Sequence, residues 1–198
     1  MWPKLVIATG NAGKLSEIQA LLTPLNIEVI PQSALHVSEA AEPHGTFIEN
    51  ALAKARHASL ATGLPALADD SGICLEALHG APGVHSAYFA GEPKSDANNN
   101  ALVLKTLKQH ENRFAYYYCC LVLVRKPDDP QPLIAEGIWK GAILKKARGD
   151  NGFGYDPIFM DNMTGKSAAE LSPEIKNKIS HRGQALRKML HLIEHASY

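Results

Sequence analysis

The opening of the chain constrains the fold more than any other stretch. "KLVIA" at Lys4–Ala8 is a short β-branched run, and "TGNAGK" at Thr9–Lys14 is a Gly-rich turn. "KLSEIQALL" then spaces Leu15, Ile18, Leu21 and Leu22 at helical intervals before Pro24 ends the pattern. A strand that feeds a tight turn and an amphipathic helix needs a sheet on which the helix can lie. The alternation continues. "IEVI" at Ile27–Ile30 reads as a second strand, and "TFIENALAKARHASLATG" as a helix with a Thr46/Glu49 capping box that closes at Gly63. "PALADDSG" at Pro65–Gly72 reads as a buried strand ending at its two acids, with "ICLEAL" as another strand after it. "DANNNALVLKTLKQH" is a helix, "RFAYYYCCLVLV" at Arg113–Val124 a long strand, and "LIAEGIWKG" its antiparallel partner beyond the "DDPQP" turn. Two helices finish the pattern, one from Ser172–Pro173 and one from Ser180. Interleaved helices and strands predict an α/β protein with a mixed sheet. No repeat or linker divides it, so residues 1–198 are expected to form a single domain.

Composition narrows the function classes. With 45% hydrophobic and 20% charged residues, the chain can bury a core and is too apolar for disorder. Lys+Arg and Asp+Glu number 20 each, so no global basic field points to nucleic acid or membrane, and an anionic ligand must be recruited locally. No apolar run approaches the ~20 residues a membrane span needs, and the first apolar run is too short for a signal peptide. Cys74, Cys119 and Cys120 lack CxxC spacing and are expected to be reduced, which favours the cytoplasm.

Several stretches have the composition of sites. In "ATGNAGKLS" a Gly-rich turn opens a helix whose N–H groups suit phosphate, and Lys14 adds a charge. The Walker A pattern is absent, because Ala8 and Leu15 stand where it requires Gly and Ser/Thr. A phosphate site and a tight turn with a solvated lysine stay equally open. Asn50 and Lys54 share a helix face, four residues apart. An Asx-turn into Ser71–Gly72 would account for one of Asp69 and Asp70, whereas a hard divalent cation accounts for both, with Glu42 as a third oxygen ligand. Acids for a metal beside Lys14 and Lys54 would make a nucleotide polyphosphate site. In "GDNGFGYDPIF" three glycines bracket Phe153, which either stacks on a base or plugs the core. "KNKISHRG" gathers the donors Lys176, His181 and Arg182 at a helix start, where positive charge opposes the dipole unless solvent or a ligand answers it. Finally, "HLIEH" at His191–His195 matches an inverted zinc-protease spacing. Only three residues follow it in this sequence, so no downstream third ligand is expected and zinc catalysis is set aside.

In order, "TGNAGK", "TFIENALAKA", "ADDSG" at Ala68–Gly72, "GAPGVHSA" at Gly80–Ala87, "GFGYDPIF" at Gly152–Phe159, "AAEL" at Ala168–Leu171 and "KNKISHRGQAL" at Lys176–Leu186 resemble the inosine/xanthosine triphosphate pyrophosphatase family. Each motif is weak alone; seven in order are specific. The resemblance implies an elongated mixed sheet, two lobes with the active-site cleft between them, and a homodimer. It implies Mg²⁺-dependent hydrolysis of dITP, ITP or XTP to the monophosphate and pyrophosphate. By position, Thr9, Asn11, Lys14, Lys54 and Ser71 would attend the phosphates. Glu42, Asp69 and Asp70 would hold the metal, with Asp70 as general base. Phe153 would stack on the base, and Gly154, Tyr155, Asp156, Lys176, His181 and Arg182 would complete its pocket.

Two positions depart from the family pattern. Ala41 precedes Glu42 where two acids are usual, leaving Glu39 as a fallback, and Tyr88 replaces an Arg. Independently of the resemblance, donors from Lys176, His181 and Arg182 suit a 6-keto purine and oppose adenine's amino group; such mismatches can discriminate by up to ~10⁴–10⁵. A non-hydrolysing nucleotide sensor and a nucleotide phosphotransferase are the competing classes.

Overall fold

The computed structural model describes residues 4–22 and 27–195. Its strands are β1 (Lys4–Ala8), β2 (Glu28–Pro31), β3 (Ala66–Leu75), β4 (Phe114–Val124), β5 (Leu133–Ile143) and β6 (Phe159–Asp161). Its α-helices are α1 (Ala12–Leu22), α2 (Phe47–Thr62), α3 (Asp96–Thr106), α4 (Pro173–Ile179) and α5 (His181–His195). The strands form one mixed sheet in the order β2-β1-β3-β4-β5-β6. β1 runs parallel to β2 and β3, with Ile7 opposite Leu67, and β6 runs antiparallel to β5. This is the expected α/β architecture. The residue expected to stop α1, Pro24, lies outside the described residues.

One expectation is corrected. "ADDSG" does not end a strand: β3 continues through Asp69, Asp70, Ser71 and Gly72 to Leu75. The strand is continuous through these residues, so no turn forms at Ser71–Gly72. The strand survives two adjacent acids because alternation sends their side chains to opposite faces, where different cations meet them.

The chain packs as two compact units, each assembled from separate segments. The first takes the residues up to Asp70, Cys119–Gly137 and the residues from Arg182; the second takes Ser71–Tyr118 and Ile138–His181. In the first, Leu5 and Ile7 of β1 pack with Ile18 and Leu22 of α1, Leu121 and Leu123 of β4, and Leu186 and Met189 of α5. In the second, Ile73, Val103, Tyr117, Trp139, Ile158 and Phe159 form the core. All three cysteines are buried without a disulfide.

Helix ends explain where α2 places its cargo. Thr46 Oγ1 accepts from the Glu49 N–H at 3.3 Å, and Gly63 closes the helix at φ +67°. The Glu49 carboxylate accepts from the Thr46 hydroxyl. A full capping box, missed in the sequence, forms instead between Ser167 and Glu170. The buried face of α2 carries Ala51, Ala55 and Ala58, and with them Asn50 and Lys54. Polar groups on an apolar stripe need partners.

Candidate active site

Those partners are the acids of β3. In the first unit, Lys54 Nζ lies 3.1 Å from Asp70 Oδ1 and 3.3 Å from Glu42 Oε2. Asn50 Nδ2 donates to Asp70 Oδ2 at 3.3 Å and to the His44 carbonyl at 3.1 Å, while Asn50 Oδ1 accepts from His44 N–H at 3.0 Å. One buried amide therefore ties the loop that carries Glu42 to Asp70. On the other side, Asp69 Oδ2 takes Lys14 Nζ at 3.2 Å and Arg182 NH2 at 3.2 Å. Arg182 NH1 also pairs with Glu17 Oε2.

The Gly-rich turn is built from its own side chains. Asn11 Oδ1 accepts from Lys14 N–H at 3.0 Å, and Thr9 Oγ1 from Asn11 N–H at 3.2 Å, so α1 starts at Ala12 with Lys14 in its first turn. Thr9 and Asn11 thus stand at the turn as expected. Glu39, the fallback acid, lies against Gly10, where a methyl group would come within 1.6 Å of its Oε1.

The second unit gathers the other set. Asp156, buried, accepts from Lys176 Nζ at 2.6 Å, from Phe153 N–H at 2.9 Å and from the Tyr117 hydroxyl at 3.3 Å. Lys176 Nζ stands 4.7 Å above the half-buried ring of Phe153, in cation–π range. His181 stacks on Tyr117 with centroids 4.6 Å apart and 5° between planes, and Trp139 donates to Asp161 at 2.8 Å. Gly152 is required: its φ is +79°, and a Cβ would fall 2.1 Å from Asp156 Oδ2. Gly154, at φ +62°, donates its N–H to Asp96 at 2.7 Å. Ser71 is half-buried in β3.

The Ham1 family profile matches residues 5–192. A Nitrosomonas europaea protein named dITP/XTP pyrophosphatase is 60% identical over 190 residues, spanning 96% of this chain and 94% of its own. One of the same name from Ralstonia nicotianae is 58% identical over 199 residues, spanning 98% and 99%. A solved HAM1 protein structure from Coxiella burnetii superposes with TM-score 0.92 at 46% identity, covering 98% of this chain and 100% of that one. The chain belongs to the Ham1 family. The resemblance read from seven motifs is borne out along nearly the whole length.

Electrostatics separate the family's two adjacent acids. Burial alone would raise Asp69, but Lys14, Arg182 and Lys54 outweigh it and hold the carboxyl well below the usual range. Burial raises Asp70 to about 6; Lys54 and Lys14 oppose the rise, while Glu42 and Asp69 add to it. Lys54 is raised: burial works against its charge, and Asp70, Asp69 and Glu42 more than compensate. Hard oxygen donors fit a divalent cation, and the two carboxylates that converge on Lys54 Nζ mark where positive charge is already wanted.

Two residues expected at the base have partners of their own. Arg182 belongs to the acid cluster, drawn there by two carboxylates, Asp69 and Glu17. Tyr155 is buried in the second core, and its hydroxyl donates to the Ser86 carbonyl at 2.7 Å. The sequence reading missed Glu17, three residues after Lys14 and hence on its helix face. It also missed Tyr117 and Trp139, which nothing distinguishes from other core aromatics.

Proposed function

We propose that this chain hydrolyses dITP, ITP and XTP to the monophosphate and pyrophosphate, clearing non-standard purine nucleotides from the pool. The observation that carries the chemistry is the split between two neighbouring carboxyls. Asp69 is held ionised, whereas Asp70 is raised to about 6. Environments that push paired acids apart assign them different roles. Asp69 keeps its charge and orients Lys14; Asp70, near neutral pH, takes a proton from the attacking water.

Lys14 and Lys54 bind phosphate oxygens, with Thr9, Asn11 and the N-terminus of α1 beside them. Glu42, Asp69 and Asp70 would hold Mg²⁺, which neutralises phosphate charge when bound. Phe153 stacks on the base, and Lys176, fixed by Asp156, presents a donor for a purine 6-oxygen together with His181. Ser71 and Gly154 supply polar contacts at the phosphates and base. Arg182 and Tyr155 act here as supports, for Asp69 and for the second core. The family resemblance supports a homodimer and a single domain in function. No helix among the described residues is long and apolar enough to cross a membrane, and the buried thiols support a cytoplasmic setting.

The test is pyrophosphate release from dITP, XTP, dGTP and dATP with and without Mg²⁺, beside Asp70→Asn. Release from dITP and XTP, lost without Mg²⁺ and in the variant, is the expected result. Equal rates on all four substrates would remove the base assignment. Binding without release would make the protein a nucleotide sensor.

A further inference from the structure

One ligand-bearing cluster plays no part in that chemistry. His191, Glu194 and His195 lie on the exposed face of the last turns of α5, and one ligand atom from each falls within 4.8 Å of the others. The spacing follows from the helix: residues three and four apart stand over one another. The two imidazole centroids are 4.1 Å apart.

We propose that this triad is a peripheral binding site for a borderline-soft divalent ion, Zn²⁺, held by two imidazole nitrogens and one carboxylate oxygen. Three further observations support it. His195 Nδ1 is 2.8 Å from the His191 carbonyl oxygen, which can only accept; Nδ1 therefore carries the proton and Nε2 keeps its lone pair for a ligand. Metal-bound histidines ordinarily fix the other ring nitrogen in this way. The triad also lies at the C-terminal end of α5, where the helix dipole favours a cation. Finally, the nearby Lys188 ammonium donates to the Glu136 carbonyl at 2.8 Å, which anchors that charge on β5.

The ligand atoms start within 4.8 Å of one another and must draw together. Zn–N bonds of ~2.0 Å at tetrahedral angles put neighbouring ligand atoms roughly 3.3 Å apart, and rotamer changes in exposed side chains close the difference. Water fills the remaining position. The donor set separates this site from the all-oxygen group of Glu42, Asp69 and Asp70: imidazole selects Zn²⁺, whereas carboxylate selects Mg²⁺. A pocket lined by Ile134, Ala135, Glu136, Arg187, Lys188, His191 and Leu192 opens beside the triad, but Glu194 and His195 do not line it, and the site is proposed for binding only.

The experiment is calorimetric titration of the intact protein with Zn²⁺ in excess Mg²⁺, with His ring proton shifts followed by NMR. One ion per chain is expected, with shifts confined to His191 and His195. Affinity should fall at least tenfold in His195→Ala and His191→Ala, on the scale of ligand-shell losses, and less in Glu194→Gln, with pyrophosphate release unchanged in all three. Saturable Zn²⁺ binding that survives both histidine substitutions would overturn the proposal by placing the ion elsewhere. So would the lack of saturation below about 1 mM, a weak interaction by any measure.

Discussion

The two units hold paired charge in different ways. In the first, four carboxylates, Glu17, Glu42, Asp69 and Asp70, face three cations, Lys14, Lys54 and Arg182. In the second, Asp156 pairs with Lys176 among aromatic rings, with Lys176 over Phe153 and His181 flat on Tyr117. In these ion pairs the carboxylates of the first outnumber the cations, which suits the dication and polyphosphate proposed for it. The second presents flat aromatic faces and the Lys176 donor, which suits the uncharged ring proposed for it. A protein whose only need was stability would gain little from either, because buried ion pairs seldom outperform apolar packing.

The sharpest way to break the contrast is Asp70→Asn. Loss of a general base should lower kcat about 10²–10⁴-fold, read as pyrophosphate release. The same change should stabilise the protein. A carboxyl raised to about 6 binds its proton more tightly in the folded state than its unfolded counterpart near 4. Its contribution to stability is therefore fully present below about pH 4 and is lost as pH rises through about 6. At pH 8 without divalent cation, Asp70→Asn should gain roughly 1–3 kcal/mol, measured by urea denaturation, and the gain should disappear at pH 4. A destabilised variant at pH 8 would mean that Asp70 is structural.

Its neighbour should behave in the opposite way. Asp69 is held low, so its stabilisation is present above about pH 4 and is lost as pH falls below that. Asp69→Asn leaves Arg182 and Lys14 facing a neutral amide and should cost about 3–5 kcal/mol. Equal stability changes at the two positions would erase the distinction on which the proposed roles rest.

How these acids read in the sequence shows where local patterns carry information. Two adjacent acids exceed what one turn can use, so the charged cluster around Asp69 and Asp70 was legible. Capping at Thr46 and Gly63 and the helical spacing of Leu15, Ile18 and Leu22 placed α1 and α2 for the same reason: each signal lies within a few residues. The continuation of β3 was not legible, because the rule that charge ends a strand fails when cations arrive from elsewhere. Arg182 reaches Asp69 across 113 positions and Glu17 across 165. Nothing in "SHRG" indicates that its guanidinium is turned toward acids rather than a base. The glycines around Phe153 fit both a core plug and a stacking ring, and the structure finds it half-buried beneath Lys176.

That ring gives the next test. Stacking is worth about 1–3 kcal/mol per base, so Phe153→Leu should lower kcat/KM for dITP roughly 5- to 150-fold, mostly through KM. Stability should change little beside the loss at Asp69. A pure kcat effect would place Phe153 with the reacting atoms instead.

The smallest structural effect should come from Glu42, and it separates the two kinds of charge in the first unit. Its side chain is 46% exposed, unlike Asp69 and Asp70, and its one described ion pair is to Lys54 at 3.3 Å. An exposed pair contributes about 0–1 kcal/mol, so Glu42→Gln should unfold at nearly the wild-type urea concentration. The Mg²⁺ concentration for half-maximal pyrophosphate release should nevertheless rise about tenfold or more, as ligand-shell losses do. Lys54 then keeps only Asp70 as a close carboxylate partner, and Asp70 loses one of the charges that raise it. The acid limb of the pH–rate profile should therefore move to lower pH in the same variant. An unchanged Mg²⁺ requirement with that limb displaced would assign Glu42 to tuning Asp70 alone; both unchanged would return it to the solvent and leave Glu39 as the acid to test.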